Sequence, residues 1–429
     1  MIESGPVSGL VGSKDLGDRL GFHNIIAADM GGTTFKVGVV REGRIEYQRE
    51  SMVLRYHYAL PKMDVVSLGL AGGSIISVDP RSGVPQIGPR SAGSYPGPVC
   101  YDHGGEEPTI TDVDAILGYL NSTYFVAGRA ELNVDKARSV FKEKVAGPLD
   151  MDVPEAAAAM YRLANSMIYD LLHKVTIQRG LDPRQFALFS YGGTAGMHVA
   201  AYGDELGVNP IIVPHSASVH GAFGLITSDI VHEDQTTSPM KAPWELERIN
   251  SIFEELRGRV MDQLKQEGFE DNEIRIHRSV DMRYRRQVHI LTVPVQGQGT
   301  LSEQDLEATL SLFETLYEER YGKESAYREA GIEMVSYRVR GEGMVKTPEF
   351  RVQDLGETDP SGAVVETRRA WVQQAAEFQD VKGYDFELLQ PGHQVPGPSI
   401  IWTPITTIVL NPDQVAHVDE YKNLLIARS

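Results

Sequence analysis

Two rhythms of apolar and polar positions run along this 429-residue chain, and they change near Asp234. Short apolar runs at 25–28 and 35–40 flank a turn of small residues, which predicts two strands joined as a β-hairpin. Runs at 65–70, 186–191 and 211–213 predict further strands, the first of them ending in a turn at Ala71, Gly72 and Gly73. Ala157, Met160, Leu163, Ala164, Met167, Leu171 and Val175 recur at helical spacing. Pro154 suits a first turn and Gly180 a C-terminal cap, so a helix over 154–179 is expected, its stripe serving as core packing. Residues 84–105 hold Pro85, Pro89, Pro96 and Pro98 among glycines and read as one long irregular loop. A short helix over 113–120 should start from Thr109 to Asp112, and another over 197–206 should close at Gly207. Beyond Asp234 the pattern predicts charged amphipathic helices at 244–266 and 306–321 around a basic strand at 281–295. From 364 onward, strands separated by Pro-Gly turns predict a β-rich tail.

The turn of the first hairpin carries the most suggestive chemistry. Asp29 ends one strand, and Gly31, Gly32, Thr33 and Thr34 lead into the next. Glycines let a backbone approach an anion closely, so such a turn can offer several N–H groups and two hydroxyls to one phosphate. Asp29 can hold Mg²⁺ through water, because that ion takes carboxylates together with phosphate oxygens. An ordinary glycine hairpin turn accounts for the same residues. Gly192, Gly193, Thr194 and Gly196 lie between a strand and a helix, the geometry for seating a nucleotide at a helix N-terminus, though plain α/β connections look alike. Lys36 is either a phosphate contact or a surface lysine on an alternating strand.

Composition removes several alternatives. The 41 Lys+Arg against 59 Asp+Glu give a net charge of -18, which argues against nucleic acid or an anionic membrane as partner. A single cysteine, Cys100, excludes an internal disulfide and a cysteine-rich zinc site. The twelve histidines include no His-Glu-x-x-His pair, and the His215/His220 spacing fits no standard metal site. Ser190 lies before Gly192 but lacks the full Gly-x-Ser-x-Gly of a hydrolase elbow. No charged-then-apolar leader and no uncharged apolar run of about 18 residues are present, so a cytoplasmic protein is expected.

Taken in order, the motifs resemble the hydantoinase/oxoprolinase family. They are SGPVSG at 4–9, DMGGT at 29–33, GPRSAG at 88–93 with PGP at 96–98, TITD at 109–112, YGGTAG at 191–196 with His198, DMRY at 281–284 and GPS at 397–399. The resemblance implies an α/β, ribonuclease-H-like lobe of the actin, Hsp70 and sugar-kinase type, followed by α+β and β-rich C-terminal domains. On that basis the expected domains are 1–235, 236–363 and 364–429. Asp29 would be catalytic and hold Mg²⁺ through water. Gly31, Gly32, Thr33 and Thr34 would bind the phosphates of ATP, and Gly192, Gly193, Thr194 and Gly196 would bound its adenosine. His198, which matches a family position, would touch nucleotide or sit as a satisfied helix-start residue.

Two departures from the family pattern matter. Family members begin with a further lobe bearing its own phosphate hairpin, which has no counterpart in these residues, so the loop at 4–9 and half of an ATP clamp are expected here. Phe35 and Lys36 stand where the amidohydrolase branch of the family commonly shows Thr-Asp or a similar pair, and Arg286 where the family often has a glycine, which puts roles for Arg283 and Tyr284 in doubt. The function implied is a subunit of an ATP-dependent ketone carboxylase acting on a small carbonyl substrate. Its partners would be other subunits of a hetero-oligomer, one of them carrying the first lobe. A non-catalytic scaffold and a lactam or hydantoin hydrolase subunit are the alternatives.

Overall fold

The computed structural model describes residues 4–48, 51–53, 56–58, 62–297, 299–347 and 350–428. The chain forms two compact units, Met1–Thr227 with Pro348–Ser429, and Ser228–Thr347.

A mixed sheet organises the first unit. Strand Ile25–Met30 pairs antiparallel with Phe35–Arg41, with Ile25 opposite Val40 and Met30 opposite Phe35, so residues 31–34 alone make the turn. Val65–Leu68 adds antiparallel to the outer side of that hairpin. On the other side Ala187–Tyr191 and then Ile211–Val213 add in parallel. Three antiparallel strands followed by two parallel ones is the ribonuclease-H-like order. The Ala187–Tyr191 strand is buried at every position, as a parallel strand covered on both faces must be.

Strand alternation assigns the two faces. Gly38 lies against Leu10 and Gly17 against Ile25, so helix Ser4–Leu20 covers the face that carries Ile25, Ala27, Asp29 and Lys36. Phe35 points the other way, edge-on to Tyr202 of helix Ala195–Leu206, which shares that layer with helix Val153–Val175. The expected long helix is therefore present and capped by Asp152, but it ends at Val175, and a left-handed Gly180 closes the 3-10 turn Ile177–Arg179 that follows. Its buried stripe includes Ile168 and Leu172, while Leu163, Met167 and Leu171 are only partly covered.

Several expected elements differ. Residues 4–9 are not a loop but the first turns of helix Ser4–Leu20. The proline-rich segment contains strand Pro85–Ser91, paired with Ser74–Val78; edge pairing tolerates prolines that a central strand would reject. The basic strand is two antiparallel strands, Ile274–Tyr284 and Leu291–Pro294. The β-rich tail belongs to the first unit: Leu424–Arg428, Gln414–Val418 and Gln394–Pro396 extend its sheet antiparallel beyond Ile211–Val213. Val364–Val372, Glu377–Asp385, Ser399–Trp402 and Thr407–Leu410 form a separate four-stranded sheet.

The second unit packs helices Leu246–Gln266 and Glu303–Tyr321 with a sheet ordered Ile230–Lys241, Ile332–Gly343, Ile274–Tyr284, Leu291–Pro294. Ile249, Phe253, Leu256, Val260 and Leu264 make the buried stripe of the first helix. Tyr284 stacks edge-on to Phe313 and Tyr317, and Arg283 pairs with Glu333 at 3.0 Å, so both serve this unit's own packing.

His220, buried in the first unit, locks helix Ser4–Leu20 to the segment around 216–220. Ser13 donates its hydroxyl to Gly9 O, so its Oγ accepts from His220 Nε2 at 3.0 Å, while Ser216 donates to Nδ1 at 2.8 Å. That arrangement satisfies a neutral ring, and burial pushes its pKa down from 6.5 to about 3. Between those values the unfolded chain binds a proton that the fold does not, so stability falls as pH drops below about 6.5. Urea denaturation at pH 7, 6 and 5 should show this loss, and His220→Gln should flatten it by about 1.4 kcal/mol per pH unit.

Candidate functional site

The hairpin turn at 31–34 is held from two sides by segments far away in sequence. On one side Gly72 N–H donates to Gly31 O at 3.2 Å and Gly73 N–H to Gly32 O at 2.7 Å. Gly72 is itself fixed by Thr111, whose N–H and hydroxyl both reach its carbonyl, at 2.8 and 2.9 Å. On the other side Thr194 donates its N–H to Met30 O and its hydroxyl to Gly31 O, both at 3.0 Å.

These contacts orient the turn. A trans peptide sets each carbonyl opposite the following N–H. With the carbonyls of Met30, Gly31 and Gly32 pinned to the flanking segments, the N–H groups of Gly31, Gly32 and Thr33 face away from them. A Cβ at Gly31 or Gly32 would meet nothing within 4 Å, and Thr33 is exposed. The turn thus leaves its donors beside open space, an arrangement suited to an anion. Helix Ala195–Leu206 begins beside it, with no acidic residue in its first turn to oppose a negative ligand.

Asp29 stands directly across the ladder from Lys36 on the same face. Half-buried, its carboxyl is pushed above the usual carboxylate range by burial, and the Lys36 ammonium partly offsets this. A partly exposed carboxylate beside a donor nest fits a hydrated Mg²⁺ bridging to phosphate, which requires one or two protein carboxylates and several waters. Among the described residues no group of three or more His, Cys, Asp or Glu side chains gathers to hold a metal directly.

The sequence-predicted residues therefore converge, but not all face open space. Gly192 adopts a φ of 97°, and a Cβ there would lie 2.5 Å from Met30 O and 2.7 Å from Asp29 Oδ1. A Cβ on Gly196 would lie equally close to Thr407 O, at 2.5 Å. These two glycines permit close packing, whereas Gly31, Gly32 and Gly193 border open space. Thr194 braces the hairpin and is buried. His198 is fully buried, with Nδ1 3.1 Å from Asn165 and Nε2 3.5 Å from Asp114, and stacks on Tyr161; it lies in the core. Cys100 is buried, and burial together with the nearby Asp112 pushes its thiol pKa up, away from reactivity. Ser190 is buried with its Oγ 3.5 Å from Tyr202 Oη.

Gly72, Gly73 and Thr111 were not among the expected site residues. Their signals, a glycine turn and a Thr-x-x-Asp cap, read as local punctuation. The cap is real: Thr109 and Asp112 form a reciprocal box at the start of helix Ile110–Ile116. Asp112 also accepts from Val99 and Cys100 N–H, tying the proline-rich segment to that helix.

Comparison with known proteins adds an independent line. Residues 1–234 match a model described as hydantoinase/oxoprolinase, and residues 237–428 match the hydantoinase/oxoprolinase C-terminal domain. The acetophenone carboxylase gamma subunit of Aromatoleum aromaticum is 33% identical, aligned over 97% of this chain and 58% of its own length. The caprolactamase subunit alpha of Pseudomonas jessenii is 34% identical, over 96% of this chain and 59% of its own. A nucleotide-free structure of acetone carboxylase superposes with a TM-score of 0.87 at 28% identity, covering 99% of this chain and 61% of that one. The chain thus spans about three fifths of the length of these proteins.

Proposed function

Because the chain belongs to the hydantoinase/oxoprolinase family, we propose that it works as part of an ATP-dependent enzyme complex that activates a carbonyl oxygen by phosphorylation, of the ketone-carboxylase type. The observation that carries this reading is the pinning of three successive carbonyls, which turns the N–H groups of Gly31, Gly32 and Thr33 away from the flanking segments and beside open space. These N–H groups and the hydroxyls of Thr33 and Thr34 bind phosphate oxygens. Asp29 orients a hydrated Mg²⁺, and the N-terminus of helix Ala195–Leu206 adds positive potential. Bound Mg-ATP supplies a phosphoryl group that turns a carbonyl or enolate oxygen into a good leaving group. The opposing wall of the cleft, with a second phosphate hairpin, comes from a lobe outside these 429 residues.

Lactam hydrolysis is the second reading, favoured by the equally extensive match to caprolactamase. Both reactions begin with the same activation and part at the attacking group, so ATP use alone does not separate them. The assembled complex should hydrolyse ATP in response to a methyl ketone plus bicarbonate and incorporate labelled bicarbonate into a carboxylate. Stimulation by caprolactam with ring opening, and none by ketone, would replace the first reading with the second. Stimulation by neither would favour a scaffold.

A further inference from the structure

We infer that the turn at 403–406, far from the glycine motifs in sequence, forms the apolar end of the nucleotide site and presents Ile405 to the base. This rests on the nucleotide reading above. The turn leads from strand Ser399–Trp402 to Thr407–Leu410 and is bonded to the glycine turn after Ala187–Tyr191. The Thr406 hydroxyl lies 3.1 Å from Gly193 O and 3.4 Å from Gly192 O.

The turn is also rigid in itself. Thr403 Oγ1 accepts the N–H groups of Ile405 at 3.2 Å and Thr406 at 2.8 Å and donates to Thr406 O at 3.0 Å. A second bond runs from Thr403 N–H to Thr406 O at 2.9 Å. Such a frame would suit a polar tip, yet it holds out Ile405, which is 57% exposed. The threonine bonds fix the backbone that carries it. Gly193, exposed and lacking a side chain, borders it: a Cβ there would come within 4 Å of Ile405 O alone, at 3.8 Å.

The site is therefore amphipathic. Thr194 reaches Gly31 at one end, and the adjacent Gly193 meets Thr406 at the other, so donor nest and isoleucine turn flank the same pair of residues. A ribose would join a phosphate at the first to a base at the second. The ligand that matches is one with an anionic end and a flat, weakly polar end, which describes a nucleoside triphosphate.

The test uses the assembled complex carrying Ile405→Ala or Ile405→Asp, with ATP and inorganic tripolyphosphate as paired probes. Ile405→Ala should weaken ATP binding about tenfold, and Ile405→Asp further, while tripolyphosphate affinity stays at the wild-type value. Unchanged ATP affinity in both variants, or equal weakening of both probes, would overturn the inference and leave the phosphate nest standing. If the wild-type complex bound neither probe, the nucleotide reading would fail and this inference with it. Because Ile405 is exposed, the variants should melt with the wild type, which separates lost contact from lost fold.

Discussion

Asp29→Asn should lower ATP-dependent turnover of the assembled complex on the order of 100-fold, with melting and assembly unchanged. The asparagine keeps the shape of the aspartate, which matters because Asp29 Oδ1 sits close against Gly192. What it removes is the negative charge that orders a hydrated Mg²⁺ at the transferring phosphoryl group. The charge is held at some cost, since burial favours the neutral acid more than the Lys36 ammonium opposes it. Keeping a half-buried aspartate there is a poor choice for a relic. Near-normal turnover in Asp29→Asn would nevertheless make it one, and the scaffold reading would take over.

The largest expected effect on stability lies elsewhere. Helices Ser4–Leu20 and His220–Ile226 cross backbone to backbone at Gly12 and Gly224. A Cβ on Gly224 would overlap the Ser8 carbonyl and lie 2.9 Å from Gly12 N, where no flexible side chain can yield. Gly224→Ala should therefore cost about 3 kcal/mol, read as a urea midpoint lowered by roughly 1–3 M in the transition of the first unit. Gly258→Ala is the matched control, since its Cβ would meet nothing within 4 Å in the middle of helix Leu246–Gln266. It should be neutral or stabilising by up to about 1 kcal/mol. Equal effects of the two substitutions would mean that the crossing is looser than described.

Local chemistry explains what could be read from the amino-acid sequence. The hairpin was visible because apolar runs flank Asp29 to Thr34, and the long helix because Pro154 and Gly180 punctuate it. Helix Ser4–Leu20 escaped notice because Gly5, Gly9, Gly12 and Gly17 lower its helical propensity. Tertiary packing overrides that penalty: Gly9 admits the Tyr191 ring, Gly12 admits Gly224, and Gly17 admits Ile25. The brace from Gly72 and the tie from Thr406 are contacts between distant segments, which no periodicity records. For the same reason the tail looked like a separate β-rich domain. Its strands show where strands form, not that they pair with Ile211–Val213.

That pairing has a consequence for how the chain is made. Strand Ile211–Val213 receives its outer neighbour, Leu424–Arg428, only after the whole of Ser228–Thr347 has been synthesised. At ordinary translation rates the interval of about 200 residues lasts on the order of 10–40 s. Throughout it, a fully buried strand of the finished protein is the raw edge of an unfinished sheet. The ribosome-bound chain should therefore be most prone to aggregate, and most dependent on chaperones, in that window, and slowing translation downstream of residue 230 should lengthen the exposure.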